Sequence, residues 1–238
     1  MQNYPRHAAD YRKDDHMINI AVDGPAGAGK SYLARQIAKR LGYIYVDTGA
    51  LYRSVALYMT ETGVSPSDAE GVNAALPHVS VSLDYGDDGE QHVFLNGTDV
   101  STEIRKPEIS LAASSVSAIP EVRAFLLGIQ RDMARTHNVV MDGRDIGTVI
   151  MPDAQVKIFL CANENARAKR RYLELTEKGV VTTLEAVENE MNQRDRNDST
   201  RKIAPAVPAE DAVILDNSDL DREGTVAAAL AIIAAKLA

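Results

Sequence analysis

Eight consecutive residues near the start of the chain have the types and spacing of a phosphate-binding loop. The pattern G-x-x-x-x-G-K-[S/T] is filled by Gly24, Pro25, Ala26, Gly27, Ala28, Gly29, Lys30 and Ser31. Its glycines let backbone N–H groups turn towards phosphate oxygens, because a Cβ would block the turn or the approach. The lysine of this pattern reaches the terminal phosphates of a nucleoside triphosphate, and the hydroxyl holds Mg²⁺. We therefore expect residues 24–31 to bind the triphosphate, Lys30 to be catalytic and Ser31 to be a metal ligand.

Arginines form a second group of candidate functional residues. They follow predicted strands, or lie on later helices and their ends, at positions Arg53, Arg144, Arg167, Arg171, Arg194 and Arg201. In open parallel sheets, ligands bind beyond the carboxyl ends of the strands. Two phosphate esters repel each other by about 4 kcal/mol for each pair of unit charges 4 Å apart at an effective dielectric of 20. The excess of arginines therefore favours a reaction whose acceptor is itself a phosphate.

Five short apolar segments are predicted to form the sheet that positions these residues. They are residues 18–23, 43–46, 139–142, 156–161 and 213–216. Helical segments separate them, and in the first of these Leu33, Ile37 and Leu41 recur every fourth residue. Strands that alternate with helices predict an α/β fold with a five-stranded parallel sheet covered by helices on both faces. The phosphate loop would join the first strand to the first helix.

The middle of the chain has a different pattern. Residues 79–85 alternate apolar and polar side chains, residues 86–89 are typical of a turn, and residues 92–95 are typical of a returning strand. This antiparallel hairpin predicts an inserted β-rich subdomain, which we place at residues 64–105. Two helix caps are also predicted, at Ser67 before a short helix and at Thr182 before a longer helix that ends near Arg196.

The composition limits the classes of function. The chain has 238 residues, of which 45% are hydrophobic, and this is enough for a substantial core. Its formal net charge of −8 argues against non-specific binding to nucleic acids or membranes, and it has no apolar run long enough to predict a membrane span. The single cysteine, Cys161, excludes an internal disulfide. We expect a flexible tail at residues 1–16, followed by a cytoplasmic, monomeric domain at residues 17–238.

Four motifs together resemble the bacterial cytidylate kinases. They are D-G-P-A-G-A-G-K-S at residues 23–31, D-T-G-A-L-Y-R at residues 47–53, D-G-R-D-I-G-T-V at residues 142–149, and R-D-R-N-D at residues 194–198 with Arg201. The resemblance extends from about Ile18 to Leu237, and the predicted hairpin matches the enlarged nucleoside-monophosphate-binding part of the bacterial enzymes. It implies transfer of a phosphoryl group from ATP, with Mg²⁺, to CMP or dCMP in pyrimidine nucleotide metabolism.

The resemblance also implies a role for each matching residue. The arginines around the acceptor phosphate and the transferred group would be Arg53, Arg144, Arg194 and Arg201, and the last three would be catalytic together with Lys30. The other acceptor contacts would be Ser114, Arg123 and Asp145 at cytosine, Thr48 near the same base, and Asp198 at the sugar hydroxyls. Arg167 and Arg171 would serve the ATP site within a helical lid at about residues 165–202. Thr48 stands where serine is frequent in the family, and Ser31 where glycine also occurs.

Two alternatives remain open from the residues alone. One is another small-molecule kinase with the same loop, such as a different nucleoside-monophosphate kinase or a shikimate-type kinase. The other is a nucleotide-dependent switch. Guanine-nucleotide switches usually carry an Asn-Lys-x-Asp string, and this sequence has none. A panel of acceptors would separate the kinases, whereas hydrolysis without transfer would indicate a switch.

Overall fold

A computed structural model describes residues 17–86, 90–177 and 179–238. The predicted tail at residues 1–16 and most of the predicted turn at residues 86–89 lie outside the described residues. Two compact units are present. The middle unit contains Gly42–Val139 together with Met17, and the split unit contains Ile18–Leu41 and Val140–Ala238. The inserted subdomain at residues 64–105 stays a prediction.

Strands and helices alternate along most of the described chain. The strands are β1 (Asn19–Asp23), β2 (Ile44–Asp47), β3 (Val81–Tyr85), β4 (Gln91–Leu95), β5 (Thr98–Asp99), β6 (Val139–Asp142), β7 (Val156–Cys161) and β8 (Val213–Asp216). The helices are α1 (Lys30–Leu41), α2 (Thr48–Glu61), α3 (Ala69–Ala75), α4 (Pro107–Val116), α5 (Pro120–Thr136), α6 (Glu164–Glu177), α7 (Leu184–Thr200) and α8 (Arg222–Leu237). A π-helical turn, which was not predicted, spans Ile146–Ile150.

The predicted parallel sheet is confirmed. Its five strands have the order β2-β6-β1-β7-β8. Strand β1 pairs in parallel with β7, with Ile20 opposite Val156, and β7 pairs in parallel with β8. The side chains of Ile20 and Val22 are completely buried, as expected for a central strand with both faces covered. This sheet brings the ends of β1, β6 and β7 to the same edge.

Helices of the split unit pack in two pairs. Helix α1 packs against α8, which also contacts β7 and β8, and α6 packs against α7. The interior of the second pair is a cluster of buried apolar side chains from the phosphate loop and both helices. Its members are Ala26, Ala168, Leu175, Val187 and Met191. The phosphate loop is therefore part of the core that α6 and α7 share.

The middle unit combines a small antiparallel sheet with three long helices. The sheet has the order β3-β4-β5, and the predicted hairpin appears as β3 and β4, with Val81 opposite Leu95. The two-residue strand β5, which was not predicted, follows a turn at Asn96 and Gly97, both with positive φ. Helix α2 packs against α4, α5 and β4. The small sheet is thereby held against the helix that begins directly after β2.

Both predicted helix caps are displaced by one residue. Helix α3 is capped by Asp68 rather than Ser67, and α7 is capped by Thr183 rather than Thr182. In each case a second capping side chain directly follows the predicted one, and it is this residue whose oxygen reaches the free N–H groups of the first turn. Helix α7 also continues to Thr200, beyond the predicted end near Arg196.

No single helix among the described residues is long and apolar enough to cross a membrane. The pair α4 and α5 together has the length and composition of a span, but the two helices are bent by 103° to each other.

Candidate active site

The phosphate loop has the strand-loop-helix setting that the sequence predicts. It leaves the end of β1 at Gly24 and enters α1 at Lys30. Gly24 has φ of +146°, and a Cβ there would lie 2.0 Å from the carbonyl oxygen of Leu160 in β7. No side chain fits in that space, so the close approach of β7 requires glycine at this position.

Lys30 lies in a buried environment that contains two arginines and two carboxylates. Lys30 is only 6% exposed, and its Nζ donates a hydrogen bond to the carbonyl oxygen of Pro25 at 2.7 Å. Burial lowers the pKa of Lys30 to about 7, and the guanidinium groups of Arg144 and Arg194 act in the same direction. These three predicted catalytic cations are therefore close enough to repel one another, and a bound polyanion would relieve that repulsion.

Ser31 is paired with a carboxylate that the sequence analysis did not select. Its Oγ donates to Asp142 Oδ2 at 2.9 Å, and Asp142 is the buried last residue of β6. A hydroxyl and a carboxylate offer the oxygen ligands that Mg²⁺ prefers. Among the described residues, no group of three or more His, Cys, Asp or Glu side chains could hold a metal alone. A metal at Ser31 and Asp142 would therefore take its remaining ligands from phosphate and water.

The loop after β6 and the end of α7 join several predicted site residues. Arg144 donates through Nε to Asp198 Oδ2 at 2.9 Å, and Arg201 donates through Nη2 to Asp145 Oδ1 at 3.2 Å. Burial would raise the pKa of Asp198, but Arg144, Arg194 and Arg201 together hold it below its ordinary value. Arg144 thus binds Asp198 directly, and Arg194 and Arg201 lie near enough to lower its pKa.

Asp23 fixes the turn that follows Asp145. Its two carboxylate oxygens accept hydrogen bonds from the backbone N–H groups of Ile146 and Gly147, each at 2.8 Å. Burial raises the pKa of Asp23 to about 6, even though these two hydrogen bonds act in the opposite direction. The last residue of β1 therefore positions the π-helical turn, a role that was not predicted.

Helices α6 and α7 contact the phosphate loop directly. Arg167 forms an ion pair with Asp195, and each of the two side chains also bonds to the backbone of Ala26. Gly27 has a positive φ of +70°, and a Cβ there would lie 2.5 Å from the flexible end of Met191 and 3.2 Å from the carbonyl oxygen of Arg167, so glycine suits this position. A cavity of about 510 Å³ adjoins this region, and its walls include Pro25, Arg144, Arg167, Asp195 and Asp198. Arg171, the other predicted ATP contact on α6, pairs with Glu174.

Asn217, just after β8, also contacts the phosphate loop. Its Nδ2 donates to the carbonyl oxygen of Ala28 at 3.1 Å, and its backbone N–H donates to that of Cys161 at 2.9 Å. Arg170 in turn donates to both the side-chain and the backbone oxygen of Asn217. The loop is thus bound by Arg167, Asp195 and Asn217, which all lie far from it in the sequence.

Arg53 is held by a carboxylate in the middle unit. It lies on α2, and its Nη2 donates to Oδ2 of Asp47 at 2.8 Å. Arg105 donates to the same oxygen at 3.0 Å. Burial opposes ionisation of Asp47, but Arg53 and Arg105 hold its pKa below its ordinary value. Neither Asp47 nor Arg105 was selected from the sequence, although Asp47 begins one of the quoted motifs.

The remaining predicted acceptor contacts are buried in the same unit. Thr48 is the first residue of α2, and Ser114 lies on α4. Arg123 on α5 lies with its guanidinium carbon 5.6 Å from the ring centre of Tyr52, and it donates to the carbonyl oxygen of Ser117 at 3.4 Å. A buried arginine held over an aromatic ring is a fixed donor, which suits recognition of a planar base.

Comparison with known proteins gives concordant matches. The family model described as cytidylate kinase matches residues 20–235. A cytidylate kinase from Caldanaerobacter subterraneus subsp. tengcongensis is 50% identical over 88% of this chain and 91% of its own length. Those from Caldicellulosiruptor saccharolyticus and Mycobacterium avium are 47% and 48% identical, over 87% and 85% of this chain and 91% and 89% of their own lengths.

Similarity to a solved structure supports the fold alone. An uncharacterized protein from Eubacterium ventriosum matches with a TM-score of 0.52 and 12% identity, over 92% of this chain and 99% of its own. The family is therefore established by the sequence matches, which agree with the motifs around the phosphate loop, Arg53 and Arg144. From these matches we conclude that the chain belongs to the cytidylate kinase family.

Proposed function

We propose that this chain transfers the terminal phosphoryl group of ATP to the phosphate of CMP or dCMP, which gives CDP or dCDP. Family membership supports the reaction and its acceptor class. The structural observation that supports it most directly is the hydrogen bond from Arg144 to Asp198, with Arg194 and Arg201 near enough to lower the pKa of that carboxyl. These arginines concentrate positive charge in a protein whose formal net charge is −8.

Charge neutralisation is the main task of this site. An acceptor phosphate is already ionised near neutral pH and attacks a second anionic phosphate, so no catalytic base is needed. The three arginines and Lys30 would offset the repulsion between donor and acceptor and stabilise charge on the transferred group. Asp198, which pairs with Arg144, is also proposed to contact the sugar hydroxyls.

ATP is proposed to bind at the phosphate loop and the adjoining cavity. The backbone of residues 24–31 would hold its phosphates, with Arg167 and Arg171 on α6 serving the donor site. Ser31 and Asp142 would hold Mg²⁺, since their oxygens are adjacent and match its ligand preference. The chemistry that Mg²⁺ supplies when bound is neutralisation of charge on the donor phosphates. These two residues would fix where that charge sits relative to Lys30.

Each predicted acceptor contact keeps the role that the family resemblance implies. Arg53 would bind the acceptor phosphate, while Arg123, Ser114 and Thr48 would contact the base. Asp145 would accept a hydrogen bond from the N4 amino group of cytosine, because a carboxylate matches that donor. Uracil presents an acceptor where cytosine presents this donor, and the mismatch would leave polar groups unpaired at a cost of a few kcal/mol.

An acceptor panel tests the proposed function. With ATP and Mg²⁺ present, CMP and dCMP should give the highest kcat/KM, UMP a lower value, and AMP or shikimate no transfer. Preference for AMP or for a sugar alcohol would overturn the substrate assignment and favour another kinase of this fold. ATP hydrolysis that no acceptor stimulates would instead indicate a switch. A monomeric state and a cytoplasmic location remain predictions.

A further inference from the structure

Two arginines of the middle unit share one oxygen of one buried carboxylate. Arg53 and Arg105 both donate to Oδ2 of Asp47, at 2.8 and 3.0 Å, while Oδ1 of Asp47 accepts the N–H of Ala50 as the cap of α2. The Asp47 side chain is 4% exposed, that of Arg53 13% and that of Arg105 44%. We call these three residues the Asp47 triad.

The positive and negative charges of the Asp47 triad do not cancel. One carboxylate faces two guanidinium groups, so the triad carries a net charge of +1 when Asp47 is ionised. If Arg105 were absent, Asp47 and Arg53 would form a neutral pair, and the attraction of Arg53 for an anion would largely be cancelled by its partner. Arg105 therefore decides whether this cluster is cationic or neutral.

The guanidinium of Arg53 is not fully used by Asp47. Its guanidinium lies against the first turn of α2, where a Cβ on Gly49 would be 2.9 Å from Arg53 Nη1. The amino end of a helix attracts anions and disfavours cations. In addition, Nε of Arg53 is buried and has no hydrogen-bond partner among the described residues. Asp47 thus leaves part of the donor capacity of Arg53 unused.

We infer that Arg105 is a positioning residue for the acceptor phosphate, which acts by neutralising Asp47 so that the charge of Arg53 stays available to that phosphate. The inference rests on the proposed function, because it takes the ligand of Arg53 to be a nucleoside monophosphate. In this arrangement Arg105, the more exposed of the two arginines, binds Asp47 and does not itself contact the acceptor.

Kinetic constants for CMP and for ATP test this role. Arg105→Met should raise the KM for CMP about 10-fold, with kcat changed by less than about 3-fold and the KM for ATP unchanged, because a ground-state charge interaction is lost. Arg105→Lys should keep the KM for CMP near the wild-type value. Arg135→Met is the matched control, since Arg135 is exposed on α5 and pairs only one turn away with Asp132. Thermal unfolding of each variant checks its fold.

A double variant separates action through Asp47 from direct contact with the phosphate. Asp47→Asn combined with Arg105→Met restores a net charge of +1 and keeps a side chain that caps helices well. It should bring the KM for CMP back to within about 3-fold of wild type if Arg105 acts through Asp47. An Arg105→Met enzyme with an unchanged KM, or a double variant no better than Arg105→Met, would overturn the inference. Wild-type enzyme that does not phosphorylate CMP would instead overturn the proposed function.

Discussion

Asp195 on helix α7 accepts a hydrogen bond from the backbone N–H of Ala26 in the phosphate loop, with an N···O distance of 2.9 Å. Arg167 on α6 donates to the carbonyl oxygen of the same residue at 2.9 Å and forms an ion pair with Asp195. Both backbone groups of one loop residue are therefore bound by side chains of two helices. The conformation of the loop and the placement of α6 and α7 are coupled through this contact.

Replacement of Asp195 tests that coupling. Asp195→Ala should lower the free energy of unfolding by about 2–4 kcal/mol, because the buried guanidinium of Arg167 loses its ionic partner. It should also weaken binding of a non-hydrolysable ATP analogue about 10-fold, since Ala26 is no longer held. Urea unfolding and calorimetric titration measure the two effects. The exposed Gln193 on α7 supplies the control Gln193→Ala, and equal behaviour of both variants would contradict the prediction.

Binding of ATP should be accompanied by proton uptake at Lys30. At about pH 8 most Lys30 side chains are neutral in the free protein, because their pKa is about 7. Bound phosphates favour the charged form, so the pKa rises and each binding event takes up as much as one proton. Calorimetry in buffers of different ionisation enthalpy measures this uptake. Lys30→Met should abolish it, and the absence of uptake in the wild-type protein would refute the prediction.

Burial of Asp23 should leave a signature in the pH dependence of stability. Its folded-state pKa of about 6 exceeds the ordinary 3.8, so the folded protein binds this proton more tightly than the unfolded chain. The free energy of unfolding should therefore fall, by about 3 kcal/mol from this group, as the pH rises through the window between those values. Asp23→Asn should lack this component. Urea unfolding at about pH 4 and pH 7 measures the free energy of unfolding of both proteins. An equal change with pH in the wild type and in Asp23→Asn would contradict the prediction.

Asp142 should control the requirement for magnesium. Asp142→Asn removes the negative charge beside Ser31, and we expect the Mg²⁺ concentration for half-maximal velocity to rise about 10-fold and kcat to fall about 100-fold. Initial rates across a MgCl₂ series at saturating ATP and CMP measure both. The exposed Asp153 provides the control Asp153→Asn. An Asp142→Asn enzyme with a wild-type Mg²⁺ dependence would show that the ligand lies elsewhere.

Local sequence patterns predicted the elements of the fold well. The spacing of Leu33, Ile37 and Leu41 gave the first helix, and the five apolar segments gave the parallel sheet. Cap positions were wrong by one residue because two capping side chains were adjacent in each case, and only backbone geometry decides between them. Strand β5 was missed because two exposed residues carry no periodicity.

The site was predicted less completely, because its contacts join distant positions. Arg144 and Asp198 were both selected, yet nothing local to either residue indicates that they pair. Asp23, Asp47 and Asp195 were not predicted, because sequence motifs do not indicate which carboxylates bind backbone or arginine. A search for the carboxylate that pairs with each candidate arginine would have identified Asp47 and Asp195. The assigned roles of the ligand-contacting residues stay predictions.

The contact of Asn217 with Ala28 has a consequence for synthesis on the ribosome. The nucleotide-binding motif is translated before β7 and before Asn217, both of which contact it in the folded protein. Contacts so distant in sequence form late, because closing a long stretch of chain is slow. A nascent polypeptide that ends before Asn217 carries the complete motif and lacks one of the contacts that give it a binding conformation.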